Sequence, residues 1–233
     1  GTKIWITNAT VADAGVIFAY TDRAKKHRGM SAFYADLNQP GLSRRDLDKL
    51  GAHASPTGEL TFENFRIPAE NLIGQEGDGF KICMRHLNHT RLGCAAGAVG
   101  LAKAAREAAV SYANQREQFG QKIGQFQMNQ DLIAQMVVQE EAARLLVYRA
   151  ACLADRGQAY NLEVSMAKYA GAEAAAFSAD AALKILGAYG YSTEFPVERY
   201  YRDAKSYQIV EGSANIQKLI IAQDALGLSL NFK

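Results

Sequence analysis

In the stretch YQIVEGSANIQ, Tyr207 to Gln217, one carboxylate, Glu211, stands between two apolar residues and a Gly-Ser pair, just ahead of an apolar helical run. The helix dipole favours an acid there even when the acid does no chemistry. The neighbours suggest more. Ile209 and Val210 give the carboxylate an apolar flank, and Gly212 leaves room beside it for a ligand. A base held this way removes a weakly acidic proton, provided that something stabilises the carbanion.

Three other stretches carry groups of interest. Arg91 opens RLGCAAGAVG, directly after LNHT; an arginine at such a place is most often one half of a surface ion pair. NQREQFGQKIGQFQ, residues 114–127, contains Arg116, Phe119, Gly120 and Gln127 and reads as a polar interhelical loop with a glycine turn. KILGAYGY, residues 184–191, has glycines that either end a helix or let backbone amides approach a phosphate. The strand–glycine–helix context of a Rossmann site is absent. His86 and His89 would share a helix face, but no third ligand is in register, so no metal site is expected. Cys83, Cys94 and Cys152 have no paired spacing and suggest buried thiols in a reducing compartment.

The elements that must position these groups fall into two textures. Up to about residue 73, short runs rich in β-branched and aromatic residues (KIWITN, GVIFAYT, MSAFYADL, ELTFENFRI) read as strands, the last closed by Pro68. Beyond that, long Ala- and Leu-rich segments predict five helices. They run from about Gly77 to Asn114, Phe126 to Arg156 and Asn161 to Leu186, then a short one after Pro196 and a last one capped by Ser213. Met128, Leu132 and Met136, with Ile133 and Val137, give the second an apolar stripe; Ile216, Leu219 and Ile220 should point inward on the last. Four helices longer than about fifteen residues with short links predict an antiparallel four-helix bundle. The expected fold is α+β: a partial β domain over 1–73 and a helical bundle domain over 74–233. Net charge is +2, with 48% hydrophobic and 21% charged residues, which points to neither nucleic acid nor disorder, and no apolar run is long enough to insert in a membrane. GTKIWITNAT begins abruptly in strand texture, so a fragment or processed product is expected.

In their order and spacing, KIWITNA, LNHTR leading into AAGAVGLA, REQFGQ followed by FQ, ILGAYGY, YRDAK and VEGSANIQ resemble the acyl-CoA dehydrogenase family of flavoproteins along the whole chain. The resemblance implies the later part of the family's middle β domain and its entire C-terminal bundle, without the N-terminal helical domain. It implies FAD as cofactor and oxidation of an acyl-CoA thioester to the 2,3-enoyl form. Glu211 would take the α-proton, hydride would go to flavin N5, and electrons would pass to electron-transferring flavoprotein. Trp5 and Thr7 match flavin contacts. Arg116, Phe119 and Gln127, with Lys184, Gly187 and Ala188, match positions reaching the FAD of a neighbouring subunit. Ser213 and Asn215 match adenosine-side contacts. Leu87, Asn88 and Arg91 match the CoA groove, with Val210 and Gly212 beside the substrate. A homotetramer, a dimer of dimers, is implied, cytoplasmic in a bacterium or in the mitochondrial matrix of a eukaryote.

A position on the first bundle helix that serves as base in some members is Thr90 here, which leaves Glu211 as the base. Lys184 stands where Gln is common, Ala188 where Gly is common, His53 where many members carry Arg, and Val210 where most have Tyr. LGAHASPTGEL, LNHTR and VEGSANIQ resemble glutaryl-CoA dehydrogenases, particularly the non-decarboxylating type, with cyclic and short-chain acyl-CoA dehydrogenases as alternatives. A member doing dehydration or oxygenation on the same flavin scaffold, or an inactive helical oligomerisation module, are the remaining alternatives.

Overall fold

The computed structural model describes residues 1–228. It divides into two compact units, one ending at Leu87 and the other beginning at Asn88.

The first unit holds two small antiparallel sheets. β1 (Thr2–Thr7), β5 (Thr57–Phe62) and β4 (Leu42–Asp46) form one in the order β1-β5-β4. β2 (Ala14–Tyr20), β3 (Met30–Asp36) and β6 (Leu72–Ile73) form the other in the order β2-β3-β6. β2 and β3 pair over their full length, from Ala14 opposite Asp36 to Tyr20 opposite Met30. Ala32, Ala35, Leu37 and Leu60 are buried between the elements. The run ELTFENFRI is not one strand: β5 stops at Phe62, and Asn64 turns the chain with φ 53°. β4, LSRRD, has only one apolar residue, and periodicity gave no sign of it; its pairing with β5 fixes it.

The second unit is helical. The long helix α1 (Gly79–Gln115), which begins before the unit boundary after Leu87, is followed by α2 (Gln127–Asp155), α3 (Asn161–Leu186), α4 (Val197–Tyr207) and α5 (Ala214–Ala225). Three of these, not four, exceed fifteen residues; α4 and α5 have 11 and 12, and both pack on α3. α3 is the central member. Val164, Lys168, Gly171, Ala175 and Ala179 run along a stripe that is buried from its first turn to its last. Its small side chains bring helices close: a Cβ on Gly171 would lie 3.1 Å from the Ala95 carbonyl of α1. The Gly-Ala tract of α1 thus serves helix packing.

Two expected stripes shift. On α2, Met128 and Val137 are exposed; the buried positions are Met136, Glu140, Ala143, Val147 and Ala150. Glu140 is kept there by Arg106 of α1, whose Nε donates at 2.6 Å, and by Arg144. On α5, Ile216 and Leu219 face outward, and the fully buried residue is Gln217. Periodicity alone ranked the apolar residues above this glutamine, because the partner it serves lies in the preceding turn.

Candidate active site

Glu211 lies in the turn between α4 and α5, and its backbone is unusual. Glu211 has φ 56° and Gly212 φ 88°, two successive left-handed residues. A non-glycine residue held there costs about 1–3 kcal/mol and persists only when its surroundings impose it. Three buried side chains from three helices do so. Arg91 of α1 donates from Nε to the Glu211 carbonyl at 3.1 Å. Lys168 of α3 donates from Nζ to the Gly212 carbonyl at 2.7 Å, and Gln217 of α5 donates from Nε2 to the same oxygen at 3.0 Å. Their relative exposures are 7%, 1% and 0%.

The carboxylate itself accepts from the Thr90 hydroxyl, Oγ1 to Oε2 at 2.7 Å. Arg91 also donates from Nη1 to Asn88 Oδ1 at 3.1 Å, and Asn88 Nδ2 donates to Asn161 Oδ1 at 2.7 Å. A connected polar chain therefore runs from the first residue of α3 through Asn88 and Arg91 to the Glu211 turn. Burial holds the Arg91 guanidinium and the Lys168 ammonium below their ordinary pKa values, each partly offset by the Glu211 charge. Burial likewise raises the Cys94 thiol and the Tyr207 phenol. The backbone N–H groups of Glu211 and Gly212 donate no hydrogen bond among the described residues. Ser213 occupies the N-cap position of α5 without a side-chain capping bond. Ile209 and Val210 are 62% and 45% exposed, so the apolar flank expected beside Glu211 faces outward in this chain.

A second constellation sits where α1 turns into α2. The expected plain loop contains a two-strand hairpin, β7 (Glu117–Gln118) and β8 (Gln121–Lys122). Phe119 and Gly120 form its two-residue tip with φ 54° and 78°. Such a turn favours Asn-Gly. Phenylalanine in its first position is strained, and it is also 93% exposed, its ring perpendicular to that of Phe126 with the centroids 6.2 Å apart. Arg116 places its guanidinium over the Tyr189 ring at 5.5 Å. This joins the hairpin to the Gly187–Tyr189 turn that ends α3. Gly187 has φ 60°, and a Cβ there would meet nothing within 4 Å. Lys184 pairs with Asp180 at 2.6 Å. Of the residues singled out in 114–127, Arg116 meets the 187–189 turn, through Tyr189; Phe119 packs on Phe126, and Lys184 pairs within α3. An exposed guanidinium-bearing arm, an exposed aromatic ring and an open glycine backbone fit an anionic dinucleotide with an aromatic base.

In the first unit, β1 bulges between Lys3 and Ile6, and Trp5 sits in the bulge with φ 61° and 63% exposure. A bulge re-aims a side chain. Thr7, paired with Thr57, is exposed.

Lys168 and Gln217 were missed in the sequence. The signal for Lys168 was there: a lysine on an otherwise small and apolar stripe of α3 either snorkels or serves a buried acceptor. Thr90, which cannot itself act as a base, hydrogen-bonds the Glu211 carboxylate.

Residues 1–65 match the model of the acyl-CoA dehydrogenase middle domain, and 77–226 that of the acyl-CoA dehydrogenase C-terminal domain. The chain is 57% identical over 98% of its length to a glutaryl-CoA dehydrogenase of Desulfococcus multivorans, covering 59% of that protein. It is 48% identical over 95% of its length to the short-chain specific acyl-CoA dehydrogenase of rat mitochondria, covering 54% of it. A solved glutaryl-coenzyme A dehydrogenase in complex with glutaryl-CoA superposes with TM-score 0.95 at 56% identity, over 98% of this chain and 58% of that one. The chain spans just under three fifths of the length of these relatives. With both domain models matched in order along nearly the whole chain, this chain belongs to the acyl-CoA dehydrogenase family.

Proposed function

We propose that this chain carries the acid–base half of an FAD-dependent α,β-dehydrogenation of an acyl-CoA thioester, with Glu211 as the base that removes the α-proton. The observation that carries the reading is the clamped left-handed turn, which leaves one Glu211 carboxylate oxygen and the residue's own N–H for a substrate. An α-proton of a thioester is far too weak an acid for a free carboxylate. A backbone N–H aimed at the thioester oxygen stabilises the enolate-like charge where it develops, which is the larger part of such catalysis. Thr90 holds one carboxylate oxygen, so the other is the one that meets the proton. Bound FAD supplies the acceptor for the β-hydride. Arg116, Phe119, Gln127, Lys184, Gly187 and Ala188 would hold FAD of a neighbouring subunit, with Ser213 and Asn215 on the adenosine side and Trp5 and Thr7 at the flavin. Leu87, Asn88, Arg91, Val210 and Gly212 would line the acyl-CoA site.

A shared FAD requires assembly, and a homotetramer is the state we propose. The outward face of α2 supports association, with Val138, Leu145 and Tyr148 exposed at 66%, 65% and 58%. Electron-transferring flavoprotein is the proposed electron acceptor. Glutaryl-CoA is the proposed substrate, supported by the similarity to glutaryl-CoA dehydrogenases. Val210 offers no hydroxyl to a terminal carboxylate, so glutaconyl-CoA is the expected product, with its carboxyl retained. The test is anaerobic addition of glutaryl-CoA to the flavin-loaded holoenzyme, followed by product analysis. Bleaching of the flavin with glutaconyl-CoA formed supports the reading. Crotonyl-CoA and CO₂ overturn the retention of the carboxyl, bleaching by butyryl-CoA alone favours the short-chain substrate, and no bleaching by any acyl-CoA overturns the dehydrogenase.

A further inference from the structure

The geometry points to Lys168 as a positioning residue for the base: a buried ammonium that acts through the Gly212 carbonyl to hold Glu211 at its working angle. The inference rests on the dehydrogenase reading above.

Lys168 is 1% exposed, on the inward stripe of α3. Burying an ammonium is expensive unless it gains something in return, and the group answers by losing affinity for its proton. Burial is the leading cause of its lowered pKa. No carboxylate forms a salt bridge with it among the described residues; its hydrogen bond goes to one peptide oxygen, Gly212 O, at 2.7 Å. A bundle seeking stability alone would place an apolar residue at this stripe position, since well-packed apolar side chains are usually at least as stable as a buried charge. The ammonium must therefore be judged by what it holds.

What it holds is the second residue of the left-handed pair. Arg91 fixes the Glu211 carbonyl from α1 and Lys168 fixes the next carbonyl from α3, while Gln217 supports the same oxygen from α5. Peptide planes are rigid and trans among the described residues, so fixing two successive carbonyls fixes the two planes that meet at the Gly212 Cα, and with them the torsions of Gly212; the first of these planes begins at the Glu211 Cα. The Glu211 side chain departs from that Cα. Gln217 alone cannot substitute: it reaches the oxygen at 3.0 Å with a neutral amide, and a charged donor is roughly twice as strong. With Lys168 removed, the strained turn relaxes on its α3 side, and the carboxylate and its N–H move together relative to the substrate.

The experiment compares the wild type, Lys168→Met and Gln217→Met as flavin-loaded holoenzymes. Lys168→Met keeps the length and apolar stem and deletes the donor. The measurements are the rate constant of flavin reduction at saturating acyl-CoA, its isotope effect with the α-deuterated substrate, the flavin spectrum and the melting temperature. A displacement of about 1 Å costs on the order of 100-fold in rate. The expectation is therefore a fall of about 10- to 100-fold for Lys168→Met, with a full or enlarged isotope effect, an unchanged flavin spectrum and little change in substrate affinity. Gln217→Met should fall in the same direction by less, and it keeps the idea testable if the lysine variant does not fold. Glu140→Gln is the control for mere loosening of the bundle: it breaks a buried ion pair on α1 and α2 and should lower the melting temperature while leaving the reduction rate within about twofold. Lys168→Met or Gln217→Met reducing flavin at the wild-type rate would overturn the inference and leave the dehydrogenase intact. A rate loss equal to that of Glu140→Gln at equal melting temperature would also overturn it. A wild type that no acyl-CoA reduces removes the dehydrogenase reading and this inference with it.

Discussion

Gly212→Ala tests the base turn with the smallest available change. Two costs add. The first is backbone strain: Gly212 has φ 88°, where a Cβ is disfavoured by about 1–2 kcal/mol. The second is local contact. The new Cβ would stand 2.7 Å from Gln217 Nε2, too close to coexist, and 3.5 Å from an Arg91 guanidinium nitrogen, which is ordinary contact. Gln217 must withdraw, and its hydrogen bond to Gly212 O goes with it, at a net cost of about 0.5–1.5 kcal/mol. The Lys168 bond to that oxygen remains, so the carbonyl is not orphaned and the second cost stays at the lower end. The sum is about 1.5–2.5 kcal/mol. Urea unfolding of the holoenzyme reads it directly, with the shift appearing in the midpoint and not in the slope. Gly93→Ala and Gly100→Ala provide the contrast. Both glycines lie in the interior of α1, and a Cβ at either meets nothing within 4 Å. There the same substitution should stabilise by about 0.5–1 kcal/mol. A Gly212→Ala variant within about 0.5 kcal/mol of wild type would refute the strained, clamped turn on which the active-site argument rests.

Glu211→Gln should retain flavin and lose about 100- to 10,000-fold or more in flavin reduction by acyl-CoA, read by stopped-flow absorbance, because the amide keeps the shape and deletes the proposed base. Arg116→Ala should weaken FAD retention on dilution or gel filtration while leaving the far-UV circular dichroism unchanged, since its guanidinium rests on the exposed Tyr189 ring and takes no part in the core. Stability should fall as pH rises above about 9. Burial raises the Cys94 thiol above its ordinary value of 9.0, so its contribution is complete below that pH and is lost as the unfolded chain ionises. Cys94→Ala should flatten that part of the pH dependence in urea titrations, and an unchanged slope would assign the loss elsewhere. Lys168, lowered by burial, works in the opposite sense over the same range, which is why the difference between the two proteins and not the wild-type curve alone carries the test.

The helices were legible because they are long and compositionally uniform. Bounds from Ala-rich texture, the Gly187 stop and Pro196 agree with α3 and α4 to within a residue. The short strands were legible where β-branched and aromatic residues cluster and illegible at β4, whose LSRRD is held by its partner and not by its own pattern. Glu211 stood out because a lone acid between apolar residues and Gly-Ser is locally odd. Nothing local announced that it would adopt a left-handed backbone, since the cause lies 120 residues upstream in Arg91 and 43 upstream in Lys168. The hairpin at 117–122 was hidden for a related reason. Phe119-Gly120 is a poor turn sequence by propensity, so a reading based on propensity assigns a loop.

The two strained sites differ in what enforces them, and that difference bears on how each would behave. At Glu211 the turn is held from the buried side by three donors that approach two consecutive carbonyls, each oxygen having at least one close partner. Such a turn is preorganised before any substrate arrives, which is the condition under which a backbone N–H stabilises developing charge without a reorganisation cost at the moment of reaction. At Phe119 the strain is met by a four-residue ladder, the Lys122–Glu117 pair at 2.6 Å, the edge contact with Phe126, the Arg116 contact with Tyr189 and the anchoring of Ile123 in the core. The ring itself is left in solvent. That side chain has no stabilising role in the isolated chain large enough to offset its backbone, so its contribution must come from whatever covers it. A rigid turn suits the role proposed for Glu211, meeting a proton at a fixed distance; a loosely held aromatic suits the proposed surface, completed by cofactor and a neighbouring subunit. Association should therefore order the hairpin tip while leaving the base turn as it is, and hydrogen exchange of the Gly120 and Gly212 amides with and without bound FAD would separate the two behaviours.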